Sequence, residues 1–239
     1  MALAELRWLH RAWRYRLYVD PAEIGWILRS VRPGQVAIDI GAHKGGYTFW
    51  LAKAVGTAGR VVAAEPQSNL AQRLTRLTRS LPQVKVLNVA VSDRSGPAEI
   101  VMRSSGSSHG ASLTGFPDGD PGHRLQVQCR TLADVMAEGG VDRVDFIKCD
   151  IEGHELRVLG SSREILERHR PTMLVECEER HAHSDRDGVA GLVRTMQPHR
   201  YRIRFFFGRE LIDIDRFDPA KHQIVGARKY GNNFLLEPL

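Results

Sequence analysis

Alternating blocks of apolar and polar residues predict a chain in which strands and helices follow one another. Helical spacing is clear at 68–80, where Leu70, Leu74 and Leu77 share one face. Apolar runs rich in β-branched residues predict buried strands at 36–40, 60–64, 84–91, 144–150 and 172–177. Strands that alternate with helices in this way favour an α/β fold with an open, mostly parallel sheet.

The two ends of the chain depart from this alternation. Residues 3–18 predict a basic amphipathic helix whose apolar positions are Leu3, Leu6, Leu9 (or His10), Trp13 and Leu17. Such a helix can lie on a membrane surface, although more often it packs on its own domain or on a second subunit. Asp20 as N-cap and Pro21 at the first helical position predict a second helix, to about Ser30. We therefore separate an N-terminal helical extension, 1–32, from a main domain, 33–239.

Residues 104–123 form a long polar segment rich in glycine, serine and proline. Loops of this length inside a compact domain are usually functional lids or disordered segments. We interpret this one as a substrate-side loop, with disorder as the alternative. Further along, Gly208-Arg209-Glu210 between two apolar runs predicts a hairpin.

The most informative stretch is 36–54, where a buried strand leads through a glycine-rich turn into an apolar helix. Gly41, Gly45 and Gly46 make a turn that side chains would obstruct. Asp39 stands near the end of the first strand, and Glu65 at the end of the next can accept hydrogen bonds from ribose hydroxyls. The glycine spacing is not G-x-G-x-x-G, so the pattern favours a cationic ligand with an amino acid tail, S-adenosylmethionine (SAM). The alternative is a turn that merely closes a βα corner.

A second cluster of ionisable residues follows the strand that ends at Asp150. Glu152, His154 and Glu155 crowd this strand end, where open parallel sheets bind their ligands. A helix N-terminus that favours acids would explain Glu152 and Glu155. It would not explain Lys148 or His154, so we interpret the cluster as a reaction site.

Composition sets broad limits on these interpretations. The chain has 239 residues, of which 42% are hydrophobic, enough for one domain with a substantial core. No apolar run approaches the roughly 20 residues of a membrane span. Arg7, Arg11, Arg14 and Arg16 interrupt any signal-peptide core, so we expect a cytoplasmic protein. The three cysteines are widely spaced and predict no disulfide framework.

The net charge of +6 permits an anionic partner, but the basic residues are spread along the chain without a block. A solvated surface is the simpler interpretation. His181 and His183 have a spacing that can bind a metal, but no further ligand spacing supports a closed site, and a solvated loop is the preferred interpretation.

Four segments together resemble the FkbM family of SAM-dependent O-methyltransferases. They are Asp39-Ile-Gly-Ala-His-Lys-Gly-Gly-Tyr-Thr, Glu65-Pro66, Asn88-Val-Ala-Val-Ser-Asp93 and Asp145-Phe-Ile-Lys-Cys-Asp-Ile-Glu-Gly-His-Glu155. The resemblance covers residues 36 to about 180. It implies that 33–239 is a methyltransferase domain with a class I (Rossmann-like), doubly wound sheet whose last strand is antiparallel. It also implies methyl transfer to a hydroxyl of a sugar, oligosaccharide, glycolipid or similar natural product.

The resemblance implies roles for individual residues. The methionine part of SAM would lie on the turn, its ribose on Glu65 and its adenine farther along the rim. The implied cofactor-binding residues are Asp39, Gly41, His43, Gly45, Tyr47, Thr48, Glu65, Asn69, Ala90, Ser92 and Asp150.

For the chemistry we predict that His154 is the general base, because imidazole titrates near neutral pH. Asp150 or Glu152 would orient it. A separate hypothesis is that Mg²⁺ acidifies the acceptor hydroxyl, with Asp150, Glu152 and Glu176 as candidate ligands.

Three other functions compete with this one. A nucleic-acid (tRNA or rRNA) methyltransferase fits the charge, but Asn/Asp-Pro-Pro-Tyr and Pro-Cys motifs are absent. A nicotinamide-dependent sugar oxidoreductase is disfavoured by the glycine spacing. A non-catalytic SAM-binding or peripheral membrane protein is the third. We expect a hydroxyl acceptor as partner, with no nucleic acid and no membrane span, and the first helix is compatible with a homodimer.

Overall fold

A computed structural model describes residues 3–104, 111–113, 115, 120–182 and 187–239. Its strands are β1 (Val36–Ile40), β2 (Arg60–Ala64), β3 (Val84–Leu87), β4 (Ala90–Val91), β5 (Gly96–Met102), β6 (Ala111–Ser112), β7 (His123–Arg130), β8 (Phe146–Cys149), β9 (Thr172–Glu176), β10 (Tyr201–Phe207), β11 (Glu210–Asp213) and β12 (Asn233–Pro238). Its α-helices are α1 (Leu3–Arg14), α2 (Pro21–Ser30), α3 (Gly46–Val55), α4 (Ser68–Leu77), α5 (Leu132–Gly139), α6 (Glu155–Ser161), α7 (Arg163–His169), α8 (Gly188–Met196) and α9 (Pro219–His222).

The main sheet has eight strands in the order β11-β10-β12-β9-β8-β1-β2-β3. Five adjacent strands of this sheet run parallel to one another: β9, β8, β1, β2 and β3. The final strand, β12, is antiparallel to both β9 and β10, and β10 and β11 form the hairpin predicted around Gly208. The predicted fold class is therefore confirmed: a mostly parallel sheet with an antiparallel last strand.

The order of the strands decides where a ligand can bind. From β1 the chain moves outward through β2 and β3, and then returns to the other side of β1 as β8 and β9. Such a reversal opens a crevice at the carboxyl ends of the central strands. Asp39, Glu65, Asp150 and Glu176 all lie at or just after those ends.

Helices cover both faces of this sheet. On one face, Ile38 and Ile147 pack with residues of α5, α6 and α8, such as Leu159. On the other face, Ala37 and Phe146 pack with residues of α1, α2 and α3. Both layers are apolar because the central strands are buried on both sides, as in parallel sheets generally.

The N-terminal helix is held against α3 by two indole hydrogen bonds. Trp8 Nε1 donates to the Gly45 carbonyl oxygen over 2.9 Å, and Trp50 Nε1 donates to the Ala12 carbonyl oxygen over 2.8 Å. A π-helical turn, Tyr15–Val19, links α1 to α2. Whether 1–32 and 33–239 are separate domains stays a prediction. None of the helices described is long and apolar enough to cross a bilayer.

The prediction of one strand over 84–91 is wrong in detail. The chain leaves the main sheet after Leu87, because Asn88 Nδ2 donates to the carbonyl oxygens of Glu65 and Pro66, each over 2.9 Å. It continues as β4 in a second sheet, with the order β4-β7-β5-β6. Within the predicted loop 104–123, positions 105–110, 114 and 116–119 lie outside the described residues, and β6 and the first residue of β7 are strand.

Candidate active site

A cavity of about 500 Å³ opens at the carboxyl ends of the central strands. This volume lies within the range of about 300–1,000 Å³ that is usual for small-molecule sites. The turn after β1 and the segment after β2 form one side, and residues of β8, β9 and β12 form the floor and far side. The linker from α1 to α2 closes the cavity with Tyr15, Val19 and Asp20.

The turn after β1 needs its glycines for two different reasons. Gly41 has a φ of +81°, and a β-carbon there would stand 1.9 Å from the Asp150 carbonyl oxygen. Gly45 has a φ of +76°, and a β-carbon there would meet Leu74 and Trp8. His43, between them, also has a positive φ, of 50°. The turn is therefore pressed between β8 on one side and the N-terminal helix on the other.

Asp39 is buried at the end of β1, and its Oδ2 accepts a hydrogen bond of 2.6 Å from Thr48 Oγ1. Burial raises the pKa of the Asp39 carboxyl to about 6, although the Thr48 hydrogen bond opposes the rise. The Thr48 side chain is itself fully buried. Its hydroxyl therefore holds Asp39 in place.

Both carboxylate oxygens of Glu65 accept backbone hydrogen bonds. The amide of His43 donates to Oε2 over 2.7 Å, and the amide of Gln67 donates to Oε1 over 2.8 Å. Burial raises the pKa of the Glu65 carboxyl to about 7. Neither Asp39 nor Glu65 has a salt-bridge partner among the described residues.

Lys148 is the buried cation of the site. Its Nζ lies 3.4 Å from Asp150 Oδ2, 3.5 Å from Asn233 Oδ1 and 5.1 Å from the centre of the Tyr47 ring. Burial alone would lower the pKa of Lys148, but the carboxylates of Asp150, Glu176 and Asp20 outweigh it and raise the pKa. Lys148 is therefore charged at neutral pH.

Asp150 and Glu176 share a hydrogen bond between their carboxyl groups, and their pKa values are shifted in opposite directions. Burial acts to raise the pKa of Asp150, but the Lys148 ammonium and the hydrogen bond from Glu176 outweigh it, so the pKa is lowered. Burial and the nearby Asp150 raise the pKa of Glu176 well above its usual range. Of the pair, Asp150 is thus the stronger acid, and Glu176 holds its proton to higher pH.

The N-terminal segment brings two further acids, Asp20 and Glu23, into the neighbourhood of Lys148, and of these Asp20 lines the cavity. Asp20 occupies the predicted N-cap position of α2 but makes no side-chain cap; instead it accepts a 2.9 Å hydrogen bond from the Tyr47 hydroxyl. Burial raises the pKa of Asp20, and it raises the pKa of the neighbouring Glu23 to about 8. The Tyr47 hydroxyl is thus engaged with Asp20.

The structure does not bring His154 into this cavity. His154 Nε2 lies 2.9 Å from Ser92 Oγ, and its Nδ1 is buried with no hydrogen-bond partner among the described residues. Burial lowers the pKa of His154 to about 4. Ser92 and His154 thus face each other outside the lining of the large cavity.

The remaining predicted residues lie in different surroundings. Ala90 lines a small apolar cavity of about 20 Å³, together with Gly41, Pro66 and Ile151. Asn69 is exposed on α4, where its Oδ1 accepts a hydrogen bond from the Leu70 amide. Neither residue lines the large cavity, although Gly41, Pro66 and Ile151 line both cavities.

The three candidate metal ligands do not form one group. Asp150 and Glu176 lie together beside the Lys148 ammonium, whereas Glu152 Oε2 lies 3.3 Å from His181 Nε2. Within the described part of the chain, no cluster of three or more His, Cys, Asp or Glu side chains could hold a metal ion. The Asp150 cluster does not fit a divalent cation, because Lys148 already supplies its positive charge. Of the H-x-H pair, His183 lies outside the described residues.

Comparison with known proteins gives the family. The family model for the methyltransferase FkbM domain matches residues 39–205. The chain belongs to the FkbM methyltransferase family. A solved FkbM methyltransferase from Methylobacillus flagellatus KT is 16% identical, with a TM-score of 0.54, and the match covers 99% of this chain and 55% of that one.

Two further similarities are more limited. An O-methyltransferase from Bacillus cereus was solved in complex with S-adenosylhomocysteine (SAH). It is 15% identical with a TM-score of 0.52, and the match covers 99% of this chain and 90% of that one. At these identities the solved structures show the fold, that of class I SAM methyltransferases. The antimetabolite synthetase AmbE of Pseudomonas aeruginosa is 29% identical over 161 residues, which is 53% of this chain and 8% of that protein.

Sequence reasoning missed the N-terminal wall of the cavity. Asp20 has an ordinary N-cap pattern, and nothing in the sequence pairs it with Tyr47. Lys148 did carry a signal, because a lysine inside an otherwise apolar strand needs buried anionic partners.

Proposed function

We propose that this FkbM-family chain is a SAM-dependent O-methyltransferase whose acceptor is a hydroxyl of a sugar, oligosaccharide, glycolipid or similar natural product. The observation that carries the proposal is the position of ionised Asp150 beside Lys148. It stands next to the glycine turn and within the same cavity as Asp39 and Glu65. Methyl transfer to a hydroxyl needs a donor site and an adjacent proton acceptor, and this arrangement supplies candidates for both.

The residues of the turn fit a cationic donor. Asp39 and Glu65 are buried carboxylates with no salt-bridge partner among the described residues, and Gly41 lets the turn pack directly against the Asp150 carbonyl oxygen. When bound, SAM supplies an activated methyl group on a positively charged sulfur. Asp39, Gly41, His43 and Gly45 would hold its methionine part, with Glu65 on the ribose.

The other predicted cofactor residues divide into two groups. Ala90, in its small apolar cavity, would border the adenine. Thr48 and Tyr47 would act indirectly, because their hydroxyls already bind Asp39 and Asp20. Direct contacts of Asn69 and Ser92 with the donor stay predictions.

Asp150 is our first choice for the group that removes the acceptor's proton. Lys148 and the hydrogen bond from Glu176 keep it ionised, so it can accept a hydrogen bond from an incoming hydroxyl and then its proton. Glu176, whose pKa is raised well above its usual range, would hold the Asp150 carboxylate in position through their shared hydrogen bond. His154, the base predicted from the sequence, stays the alternative, and so does Mg²⁺, for which the cluster offers no fitting ligand set.

The acceptor side of the cavity is polar and partly aromatic. Tyr15 and Asp20 line one side, and Tyr230 and Arg180 line the other. The Tyr230 hydroxyl donates to Glu178 Oε2 over 2.8 Å, and Arg180 also binds Glu178. Groups of this kind can hydrogen-bond several hydroxyls at once. The similarity to an antimetabolite synthetase is compatible with a small natural product as acceptor.

The test is a transfer assay with methyl-labelled SAM against fractionated extracts of the source organism. Mass spectrometry of the labelled product would identify the methylated atom, and tRNA and duplex DNA would serve as parallel acceptors. We expect label in a hydroxylated small molecule or saccharide. Label in nucleic acid, or transfer to nitrogen or carbon, would contradict the proposal.

A further inference from the structure

The predicted apolar stripe of the first helix faces outward. Leu3, Leu6, Trp13 and Leu17 are 64%, 46%, 47% and 52% exposed, whereas Trp8 and Ala12 make the buried contacts of α1. Six of the eleven large apolar side chains that are exposed in the described residues lie between Leu3 and Val19. Exposed apolar surface concentrated in this way marks an interaction site.

The helix is not loosely attached, so the exposure of this stripe is a property of the folded protein. The two indole hydrogen bonds fix α1 to the glycine turn and to α3. The Trp13 ring packs edge-on against Trp50 with 5.2 Å between ring centres. Rotating the helix to bury Leu6 and Leu17 would break these contacts.

A basic concavity runs beside the stripe. It has a volume of about 600 Å³ and is lined by Leu6, Arg7, His10, Arg11, Arg14 and Arg73. None of the four arginines pairs with a carboxylate in the described structure. Lys44 lies close to these arginines. Burial lowers the pKa of Lys44, and the charges of Arg11 and Arg73 lower it further. Cations grouped in this way create a positive potential that attracts anionic partners.

The charge on this helix favours a phospholipid surface over a second copy of the chain as the partner of the apolar stripe. Between residues 3 and 19 the chain carries Arg7, Arg11, Arg14 and Arg16 against the single acid Glu5. A second copy docked on the same face would bring two such clusters together, which like-charge repulsion disfavours. An anionic phospholipid surface instead offers phosphates to the arginines and acyl chains to the apolar stripe.

We propose that the outer face of α1 docks the protein on an anionic phospholipid bilayer. Leu3, Leu6, Trp13 and Leu17 enter the interface, and the arginines of the concavity bind lipid phosphates.

The docking face is continuous with the cavity. Arg11 lines both the basic concavity and the large cavity, and Lys44, Tyr15 and Val19 also line the large cavity. Val225, which is 73% exposed, also lines the large cavity. Docking through α1 therefore sets the cavity mouth beside the lipid head groups. Resting on the proposed function, this narrows the acceptor to a hydroxyl-bearing lipid head group.

The experiment is vesicle sedimentation of the full chain. The vesicles are phosphatidylcholine alone and phosphatidylcholine with phosphatidylglycerol, each at low and at physiological salt. The apolar variant is L6Q/L17Q and the basic variant is R7Q/R14Q; none of these residues lines the large cavity. The matched controls are L125Q and R209Q, which change exposed residues elsewhere on the surface. The chain has four tryptophans, so the difference in emission between the wild-type chain and W13F reports the insertion of Trp13 independently.

We expect the wild-type chain to bind the phosphatidylglycerol vesicles and its tryptophan emission to shift to the blue, a shift that W13F should lack. L6Q/L17Q should weaken binding about tenfold or more, and R7Q/R14Q about fivefold per arginine. L125Q and R209Q should bind like the wild type. Added salt should weaken the vesicle binding of the wild type more than that of R7Q/R14Q.

Three results would overturn the proposal. The first is no binding to phosphatidylglycerol vesicles at physiological salt. The second is a dimer in sedimentation velocity that L6Q/L17Q dissolves, because the stripe would then be an interface between copies. The third is binding of free pyrophosphate without vesicle binding, which would assign the concavity to a soluble anion.

Donor-binding calorimetry without vesicles tests the proposed function separately from the docking. A protein that binds SAM but not vesicles refutes only the docking. A protein that binds vesicles but not SAM refutes the methyltransferase proposal.

Discussion

Gly41 approaches the backbone of Asp150 so closely that a β-carbon at position 41 would stand 1.9 Å from the Asp150 carbonyl oxygen. This contact joins the turn after β1, where we place the donor, to the strand end that carries the proposed proton acceptor. The two halves of the site are therefore one rigid unit.

Gly41→Ala should damage this unit. The substitution combines a left-handed backbone with a clash against backbone atoms, so we expect a loss of about 3 kcal/mol of unfolding free energy together with loss of donor binding. Gly34→Ala is the matched control, because Gly34 has a φ of +86° with nothing within 4 Å of its added β-carbon. It should cost about 1 kcal/mol and leave donor binding intact. Thermal unfolding measures the stability of the two variants, and calorimetry measures their donor binding. Equal effects in both variants would refute the proposed clash at position 41.

Thr48→Val should weaken donor binding without unfolding the protein. The change removes the hydroxyl that donates to Asp39 but keeps the shape, so the orientation of Asp39 is lost and its pKa rises further. We expect SAM affinity to fall about tenfold, as for loss of a hydrogen bond to a charged group. Thr75→Val, which removes a hydroxyl bonded only to the Ala71 carbonyl of its own helix, should bind SAM normally. Unchanged affinity in Thr48→Val would show that Asp39 does not contact the donor.

Donor affinity should depend on pH in a defined direction. The pKa values of Glu65 and Asp39 are raised to about 7 and about 6, so both carboxyls gain protons as pH falls through that window. A cationic ligand favours the ionised forms, and SAM should therefore bind roughly tenfold more weakly at pH 5.5 than at pH 8. S-adenosylhomocysteine (SAH), whose sulfur is uncharged, should change less. A constant SAM affinity across this range would contradict the role of these carboxylates.

Asp150→Asn and His154→Gln separate the two candidate bases. Asp150→Asn should lower kcat about 100-fold or more, because the proton acceptor is lost. His154→Gln should keep most turnover, since the ring lies against Ser92 outside the cavity. The opposite outcome, with His154 essential and Asp150 dispensable, would restore the base predicted from the sequence.

Glu155 should matter for stability. Its carboxylate accepts hydrogen bonds from the amides of Ile151 over 2.7 Å and Gly153 over 3.0 Å, in a loop where Glu152 and Gly153 have positive φ. Glu155→Ala should cost about 2 kcal/mol of unfolding free energy. The exposed Glu164→Ala should change it by less than about 0.5 kcal/mol. Denaturant unfolding of both variants is the measurement; equal stabilities would mean that the loop holds without Glu155.

Local pattern was enough to predict the main sheet and the donor turn. The parallel strands of the main sheet are short, largely apolar runs, and Asp39, Gly41 and Glu65 stand at fixed distances from strand ends. The second sheet was missed because β4, β5 and β7 pair across loops whose closure leaves no local signal. Periodicity found the apolar stripe of α1, but it could not show that Trp8 and Ala12, rather than Leu6 and Trp13, face the core.

The position of His154 shows the same limit at the site. The sequence places it beside Asp150 and Glu152, but the positive φ at Glu152 and Gly153 turns the chain, and its ring ends against Ser92. Asp20, far away in sequence, instead reaches the cavity.

Titration calorimetry of the purified chain with SAM and SAH tests the central claim most directly. We predict one-to-one binding of both ligands, with Asp39→Asn weakening SAM at least tenfold and more than it weakens SAH. A folded protein that binds neither ligand would contradict the account.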